Sequence, residues 1–556
     1  MNAAARFVPA LAALLVAGAV PAQTLPPGAD PGAIQQRRME QERLLRQEEE
    51  LRRKRIDKPV PAMPEKPAAK PATGEDVRFL VRAIEFGPSE LLSREELESL
   101  AAPYRGRSVS LAELRALVES INALYRGKGI VTAQAILPPQ DVSDGIVRIR
   151  LIEGRVGKVS VRGNATTDAG YVAARIRQGP GDLVRLPELE RDLKRFNRTN
   201  DVQARAQLEP GAEVGQTDIV LLLEEPPLHE LRAFTDNSGS VQTGEVRAGV
   251  SYRNRSLHGL RDDLTLSTAH ADGQASYSVA WGVPVSTLGT RLNAAYYDDA
   301  THIKHGPLAV LDLKGKASAT VLSLRHPLRI DDASQVDAIL GAKQRRTLNR
   351  FDAVVLQKTR TRDASLGLEG QFADPSGYWL GSITGLVVDS EQLNLPERSF
   401  RVVRGTLRRS HNLPQGLAVV ASYNWQNTGD DLLPAGEQFL IGGEGSVRGY
   451  APGVLSGDRG YVLSLELHHP IPTGNGEGPA LKASGFIFSD YGVVRPFRPP
   501  SDPREGRESL SSIGWGVSVQ AGPRLSLRAT LGFPMHDRPE EPRNARVHVQ
   551  LSWSIL

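Results

Sequence analysis

A chain of 556 residues has room for several domains; it carries 24% charged residues that sum to a net charge of only +4, and it has no cysteine. The missing cysteine excludes disulfide frameworks, thiolate metal sites and cysteine nucleophiles, and the interspersed, nearly balanced charge argues against a nucleic-acid partner. After residue 22 no run of 18 apolar residues occurs, which excludes a helical membrane protein, whereas a β-barrel stays open because alternating strands do not show in a mean hydropathy of −0.29.

Residues 1–22 read as a signal peptide, with Arg6 ahead of an apolar run from Phe7 to Val20 and small residues at Val20 and Ala22. A run of roughly 14 apolar residues is too short to span a bilayer as an anchor, so the chain is expected to leave the cytoplasm. Residues 33–56 predict an isolated helix, free of Gly and Pro and with Glu42/Arg46, Glu48/Arg52, Glu49/Arg53 and Glu50/Lys54 at helical spacing. Its apolar residues form no continuous stripe, so it suits a solvated arm or a polar cavity, such as a plug in a pore, better than a packed core. Residues 57–75 are a Pro-rich linker.

From residue 77 to residue 226 a pattern of about 75 residues occurs twice. In the first copy, 77–154, a strand is expected at Phe79–Phe86. Helices start at the capping boxes Ser93/Glu96 and Ser110/Glu113, and two further strands lie at Val131–Leu137 and Ile146–Ile152. Leu111, Leu114, Leu117, Val118, Ile121 and Leu124 should form the buried face of the second helix. The second copy, 155–226, predicts a strand at Val156–Arg162 and helices at Ala169–Ile176 and Pro187–Asn197, then strands at Val202–Leu208 and Ile219–Leu223. Within each copy the strand after the second helix is a candidate free sheet edge for an incoming chain: Val131, Ala133 and Ala135 in the first, Val202, Gln203, Ala204 and Arg205 in the second.

After Pro227 helical periodicity gives way to alternation, as in Tyr277, Val279 and Trp281 or Tyr461, Leu463, Leu465 and Leu467. At about 20 residues per membrane strand with its turn, residues 227–556 accommodate roughly 16 strands. The expected fold class is therefore a membrane all-β barrel of about 16 antiparallel strands, preceded by two α+β domains and an N-terminal helix. Such a barrel has a polar lumen that needs a plug or serves as a conduit. No nucleophile elbow or phosphate loop is present. His468-His469 and Asp262-Asp263 are adjacent pairs whose members face opposite sides of a strand, the acids being assigned to a solvated strand start. No catalytic residue, metal or cofactor is expected.

Several stretches resemble one family, the two-partner secretion transporters of the ShlB/FhaC/HecB haemolysin secretion/activation type within the POTRA-plus-barrel superfamily. They are LYRGKGIVTAQAILPPQDVSDGIVRIRLIEG at Leu124–Gly154, AQLEPGAEVGQTDIVLLLEEPP at Ala206–Pro227, DNSGSVQTG at Asp236–Gly244, IGGEGSVRGY at Ile441–Tyr450 and FSDYG at Phe488–Gly492. The resemblance implies that the two repeats are POTRA domains in the periplasm and that the barrel lies in the outer membrane. It further implies that Val447, Arg448, Gly449 and Tyr450 form the tip of a long sixth extracellular loop folded into the lumen, facing a strand that carries Phe488, Asp490 and Gly492. An inward-folded loop loses conformational entropy and needs an anchor, so Arg448 is expected to pair with Asp490. The implied partner is one large secreted exoprotein, a haemolysin or adhesin with an N-terminal secretion domain. Outer-membrane lipid and the barrel-assembly machinery are the other expected partners, nucleic acid is not one, and the protein is expected to be a monomer. An assembly insertase of the same superfamily and a passive porin are the rival readings.

Overall fold

The computed structural model describes residues 25, 28–53, 78–473, 481–497, 506–536 and 545–555. The expected signal peptide and the 57–75 linker lie outside the described residues. The N-terminal helix α1 (Pro31–Arg53) begins two residues before the expected start. Asp30 Oδ1 caps it by accepting from the Ala33 amide at 2.9 Å, and Pro31 takes the first helical position, where no amide is needed.

In the first repeat the single strand expected at Phe79–Phe86 is two strands, β1 (Arg78–Val81) and β2 (Ala83–Phe86). The break falls at Arg82, where the amides of Arg82 and Ala83 both donate to the Gly145 carbonyl. As a result β1 pairs antiparallel with β3 (Arg107–Ser110), while β2 runs parallel to β5 (Ile146–Ile152). Helices α2 (Arg94–Ala101) and α3 (Leu111–Gly127) start at Ser93 and Ser110 with both capping boxes formed. Leu114, Leu117, Ile121 and Tyr125 of α3 are buried against Val147 and Ile149, whereas Leu111 is exposed at the helix start. The strand expected at Val131–Leu137 shrinks to β4 (Gln134–Ile136), at one edge of the sheet order β2-β5-β4. Pro138 and Pro139 have no amides with which to extend it, and Val131 and Ala133 lie outside it.

The second repeat comprises β6 (Arg155–Arg162), α4 (Ala169–Ala173), α5 (Leu186–Thr199), β7 (Gln203–Pro210) and β8 (Gln216–Glu224), with sheet order β6-β8-β7. Helix α4 is shorter than the expected Ala169–Ile176, because the amides of Arg175 and Ile176 take carbonyls three residues back and tighten the chain out of the α-helix. Leu189, Leu193 and Phe196 of α5 pack on Val202, Ala204, Ala206 and Leu208. This domain is docked on the barrel turns beneath it: Asp201 pairs with Arg261 at 2.6 Å and with Arg255 at 3.5 Å, and Lys194 meets Asp332 at 2.5 Å. Asp262, assigned above to a solvated strand start, is instead buried and accepts from the His258 amide at 2.9 Å, which shapes the same turn.

The remainder is a closed barrel of 16 antiparallel strands, sealed by pairing of the first (His229–Asp236) with the sixteenth (Arg546–Ser554). Leu322, Leu366, Leu465 and Trp515 are exposed on its outside, while Asp299, Arg345, Thr347 and Asn349 are buried on its inside, the distribution of a wall between lipid and a polar lumen. The end that bears the two small domains carries the chain into the first strand. The opposite end carries the longer connections, the longest joining the eleventh strand (Ala418–Thr428) to the twelfth (Arg459–Ile471).

Candidate functional site: the filled lumen

Among the described residues, two segments occupy the lumen. Helix α1 runs through it lengthwise: Asn349, near the far end of the seventh strand (Ser334–Phe351), donates to Asp30 at 3.0 Å, while Gln47 donates to Glu369, toward the end of the eighth (Val354–Asp374) that faces the two small domains. At 1.5 Å per residue the 23 residues of α1 span about 35 Å, comparable to the wall itself. The contacts are mostly polar. Gln35 donates to Asp299 at 2.8 Å, Arg38 pairs with Asp299 at 3.0 Å, and Arg345 donates to Gln35 at 3.2 Å and to Gln36 at 2.6 Å. The absence of an apolar stripe in α1 matches the polar wall it faces here.

The second segment is the long loop between the eleventh and twelfth strands. It folds inward as a small hairpin, Phe439–Ile441 paired with Leu455–Gly457, which presents residues 442–454 to the wall. Antiparallel register places Ser464 of the twelfth strand opposite Asp490 of the thirteenth (Leu481–Arg495), and Glu466 opposite Phe488. Because residues of one parity share a face, Ser464, Glu466, Phe488, Asp490 and Gly492 form one inward patch. Arg448 enters it. Its Nε donates to Asp490 Oδ2 at 2.8 Å, its Nη2 to Asp490 Oδ1 at 2.6 Å and to Ser464 Oγ at 2.9 Å, its Nη1 bonds Glu466, and its guanidinium lies 3.6 Å from the centroid of the Phe488 ring. Such a planar fork, satisfied on both edges and stacked on one face, is available to Arg and not to Lys. The Arg448 backbone is held as well, its amide by Asp490 at 3.1 Å and its carbonyl by His548 at 2.8 Å.

The neighbours of Arg448 make this approach possible. A Cβ on Gly449 would lie 2.7 Å from the Pro534 backbone nitrogen, and one on Gly514 would lie 2.5 Å from the Phe488 ring, so both contacts require glycine. Val447 and Tyr450 are buried with Ile441, Val462, Val494 and Leu510 in a small apolar core, and the Tyr450 hydroxyl donates to the His536 carbonyl at 3.0 Å. Gly492 lies beneath Val447. All seven lumen residues singled out by motif thus converge on one cluster.

Two acidic partners were not legible in the sequence. Glu466 sits in an ordinary alternating strand, and only register brings it to Arg448, Arg528 and His468. Glu437 lies in the loop ahead of the hairpin, fully buried, and meets Lys343 at 2.9 Å, Arg345 at 3.0 Å and Arg404 at 3.0 Å. Burial alone would raise the Glu437 carboxyl, but the three cations outweigh it and hold it at about 2. The Arg345 guanidinium therefore touches helix and loop at once.

Toward the periplasm, Asn197 of α5 accepts from the Ala204 amide at 2.7 Å and donates to its carbonyl at 3.0 Å. Asn122 of α3 does the same to Ala135, at 2.7 and 3.4 Å. A residue in an antiparallel pair turns both backbone groups toward its neighbour strand or both away. Hence Ala135, Ala204, Ala206 and Leu208 face the free edges, while the amides of Gln203 and Arg205 point to β8. Gln203 and Arg205, placed above on the candidate free edge, thus turn their amides inward to β8, and each edge is partly capped from its own helix.

Among solved structures, CdiB from Escherichia coli shares the fold, with a TM-score of 0.65 and 21% identity over 96% of this chain and 100% of that one. The heme/hemopexin transporter protein HuxB of Haemophilus influenzae is 24% identical over 472 residues, 79% of this chain and 80% of the relative. The outer membrane transporter CdiB of Dickeya dadantii is 26% identical over 490 residues, 82% and 83% of the two chains. The ShlB-type POTRA domain profile matches residues 79–154. A second profile, haemolysin secretion/activation protein ShlB/FhaC/HecB, matches residues 215–519, more than half of the chain, and the protein belongs to that family, the outer-membrane transporters of two-partner secretion.

Proposed function

We propose that this transporter exports one large exoprotein, of haemolysin or adhesin type, through a lumen that α1 occludes at rest, and that the two POTRA domains select the partner by its N-terminal secretion domain. The observation that carries the reading is the kind of contact α1 makes: side-chain hydrogen bonds to Asp299, Arg345 and Asn349, each of which an entering polypeptide can replace with its own amides and carbonyls. Residues 54–77 separate α1 from the first POTRA domain, and the contour length of 24 residues, at most about 80 Å, does not forbid α1 from leaving on the periplasmic side. Partner capture is assigned to the β4 and β7 edges, through the backbone groups of Ala135, Ala204 and Ala206. Sequence-tolerant pairing there suits an unfolded chain. The partner then passes outward without nucleotide or cofactor, and its folding outside gives the direction.

The test is deletion of residues 33–56 in the full-length protein, read as single-channel conductance in planar bilayers alongside a folded-barrel assay. Conductance rises while the barrel stays folded. Unchanged conductance in a folded barrel refutes the plug. A folded, conducting deletion variant that binds no partner domain refutes partner selection by the POTRA pair and leaves a passive pore.

A further inference from the structure

We propose that the outer face of the sixth, seventh and eighth strands, at their extracellular ends, binds the bisphosphorylated head of the outer-leaflet glycolipid, lipid A. On the sixth strand (Leu313–Ile330) Ala317 is buried and its carbonyl accepts from Gln35, so the neighbouring Lys316 and Ser318 point outward. Register carries that outward row across the sheet: Ser318 stands opposite Arg346, and Arg346 opposite Arg360. In the next row Lys316 stands opposite Leu348, and Leu348 opposite Lys358. These residues line a depression of about 520 Å³ together with Glu391 and Leu393 of the ninth strand (Gly377–Gln392) and the connection that follows it.

Five cations, Lys316, Arg346, Lys358, Arg360 and Arg362, thus share two carboxylates, Asp298 and Glu391. Glu391 lies 3.5 Å from Arg362 and 3.9 Å from Arg360, and Lys316 reaches Asp298 at 3.4 Å. Arg346 and Lys358 have no ion-pair partner among the described residues. An unshared pair of cations on a sheet surface repels itself unless an anion comes from outside the chain.

The height of the depression says which anion. Phe372 stands opposite Trp379 near the POTRA end, both about half exposed, where aromatic side chains mark the interface of a membrane barrel. Ten residues farther along the eighth strand is Arg362, with Leu368 and Leu366 exposed on the outside in between. Ten residues at about 3.3 Å each, tilted by roughly 40°, climb about 25 Å, the height of the apolar band. The cations therefore begin where the hydrocarbon ends, on the leaflet away from the POTRA domains. A phosphate-bearing lipid placed there lays its acyl chains along Leu322, Leu340 and Leu366, contacts that a free phosphate cannot make.

The experiment is native mass spectrometry of the full-length protein released from detergent, titrated with bisphosphorylated lipid A and with its dephosphorylated form. Three variants are compared with wild type: Arg346→Gln with Lys358→Gln, Arg346→Lys alone, and Arg329→Gln, an exposed cation at the POTRA end. Heat-modifiable migration in gels confirms that each barrel is folded. Wild type retains bisphosphorylated lipid A; removal of the phosphates, or of both side chains, weakens retention about thirty-fold, the loss expected for two cations near an anionic surface. Arg346→Lys and Arg329→Gln bind as wild type. Equal retention of the dephosphorylated lipid overturns the proposal whether or not the variants fold, as does wild-type binding by the folded double variant. Equal weakening by Arg329→Gln shows charge attraction without a site and overturns it too.

Discussion

Removing the Arg448 side chain tests the loop anchor most directly. Arg448 and Asp490 have side-chain exposures of 4% and 0%, so the pair is dry, and breaking one partner of a buried pair costs about 3–5 kcal/mol. The loss is softened because each acid keeps other partners: Asp490 retains Ser464 at 2.7 Å and Ser512 at 3.4 Å, and Glu466 retains Arg528 at 3.1 Å. We therefore expect Arg448→Ala to destabilise the docked loop by about 3 kcal/mol, near the lower end of that range. Asp490→Ala should cost less, because Glu466 still neutralises the guanidinium. The double variant should fall short of the sum by about 1.5–2 kcal/mol, the coupling of two groups in one network. The protein has no cysteine and Val447 is fully buried, so Val447→Cys reports loop release through its rate of maleimide labelling. Labelling accelerates in the single variants, and partner secretion falls while the barrel remains folded. Additive free energies from the double-mutant cycle would show that Arg448 and Asp490 act separately and would refute the anchor.

Glu437→Gln removes the charge that gathers Lys343, Arg345 and Arg404; because Arg345 also holds Gln35 and Gln36, both loop labelling and channel conductance should rise, and a change in only one would disprove the link between them. Asn197→Ala uncovers the Ala204 backbone and should strengthen binding of the partner's N-terminal domain to the full-length protein, whereas Ala206→Pro, on the same free edge, should weaken it; unchanged affinity in both excludes β7 as the capture edge. Burial raises the Asp201 carboxyl, but Arg261 and Arg255 outweigh burial and leave it below the usual carboxylate range. Its contribution to POTRA docking is then full above a pKa of about 3.9 and fades as pH falls through the lower folded value. Protease sensitivity of the POTRA–barrel junction should stay flat from pH 7 to 5 and rise in more acidic solution, and Asp201→Asn should be sensitive throughout. Sensitivity that instead rises between pH 7 and 6 would implicate a histidine.

The chain by itself determined the elements whose signals are local. Ser93/Glu96 and Ser110/Glu113 cap their own helices, strand alternation is written residue by residue, and the polar α1 declares that no apolar core receives it. The loop-tip and lumen-strand motifs could be named from the sequence because the Arg448 site draws most of its chemistry from two short stretches. Long-range register was not legible there. Glu466 and Ser464 reach Arg448 only because the twelfth and thirteenth strands pair as they do, and a shift of one residue would turn both to lipid. Likewise, nothing in the stretch around Glu437 announces three cations that arrive from the seventh and tenth strands. The break at Arg82 and the short β4 were decided by backbone bonds to Gly145 and by two prolines acting on segments whose own propensity favoured longer strands. Which amides of β7 are free was decided by pairing alone, since side-chain alternation says which face is buried and not which edge is open.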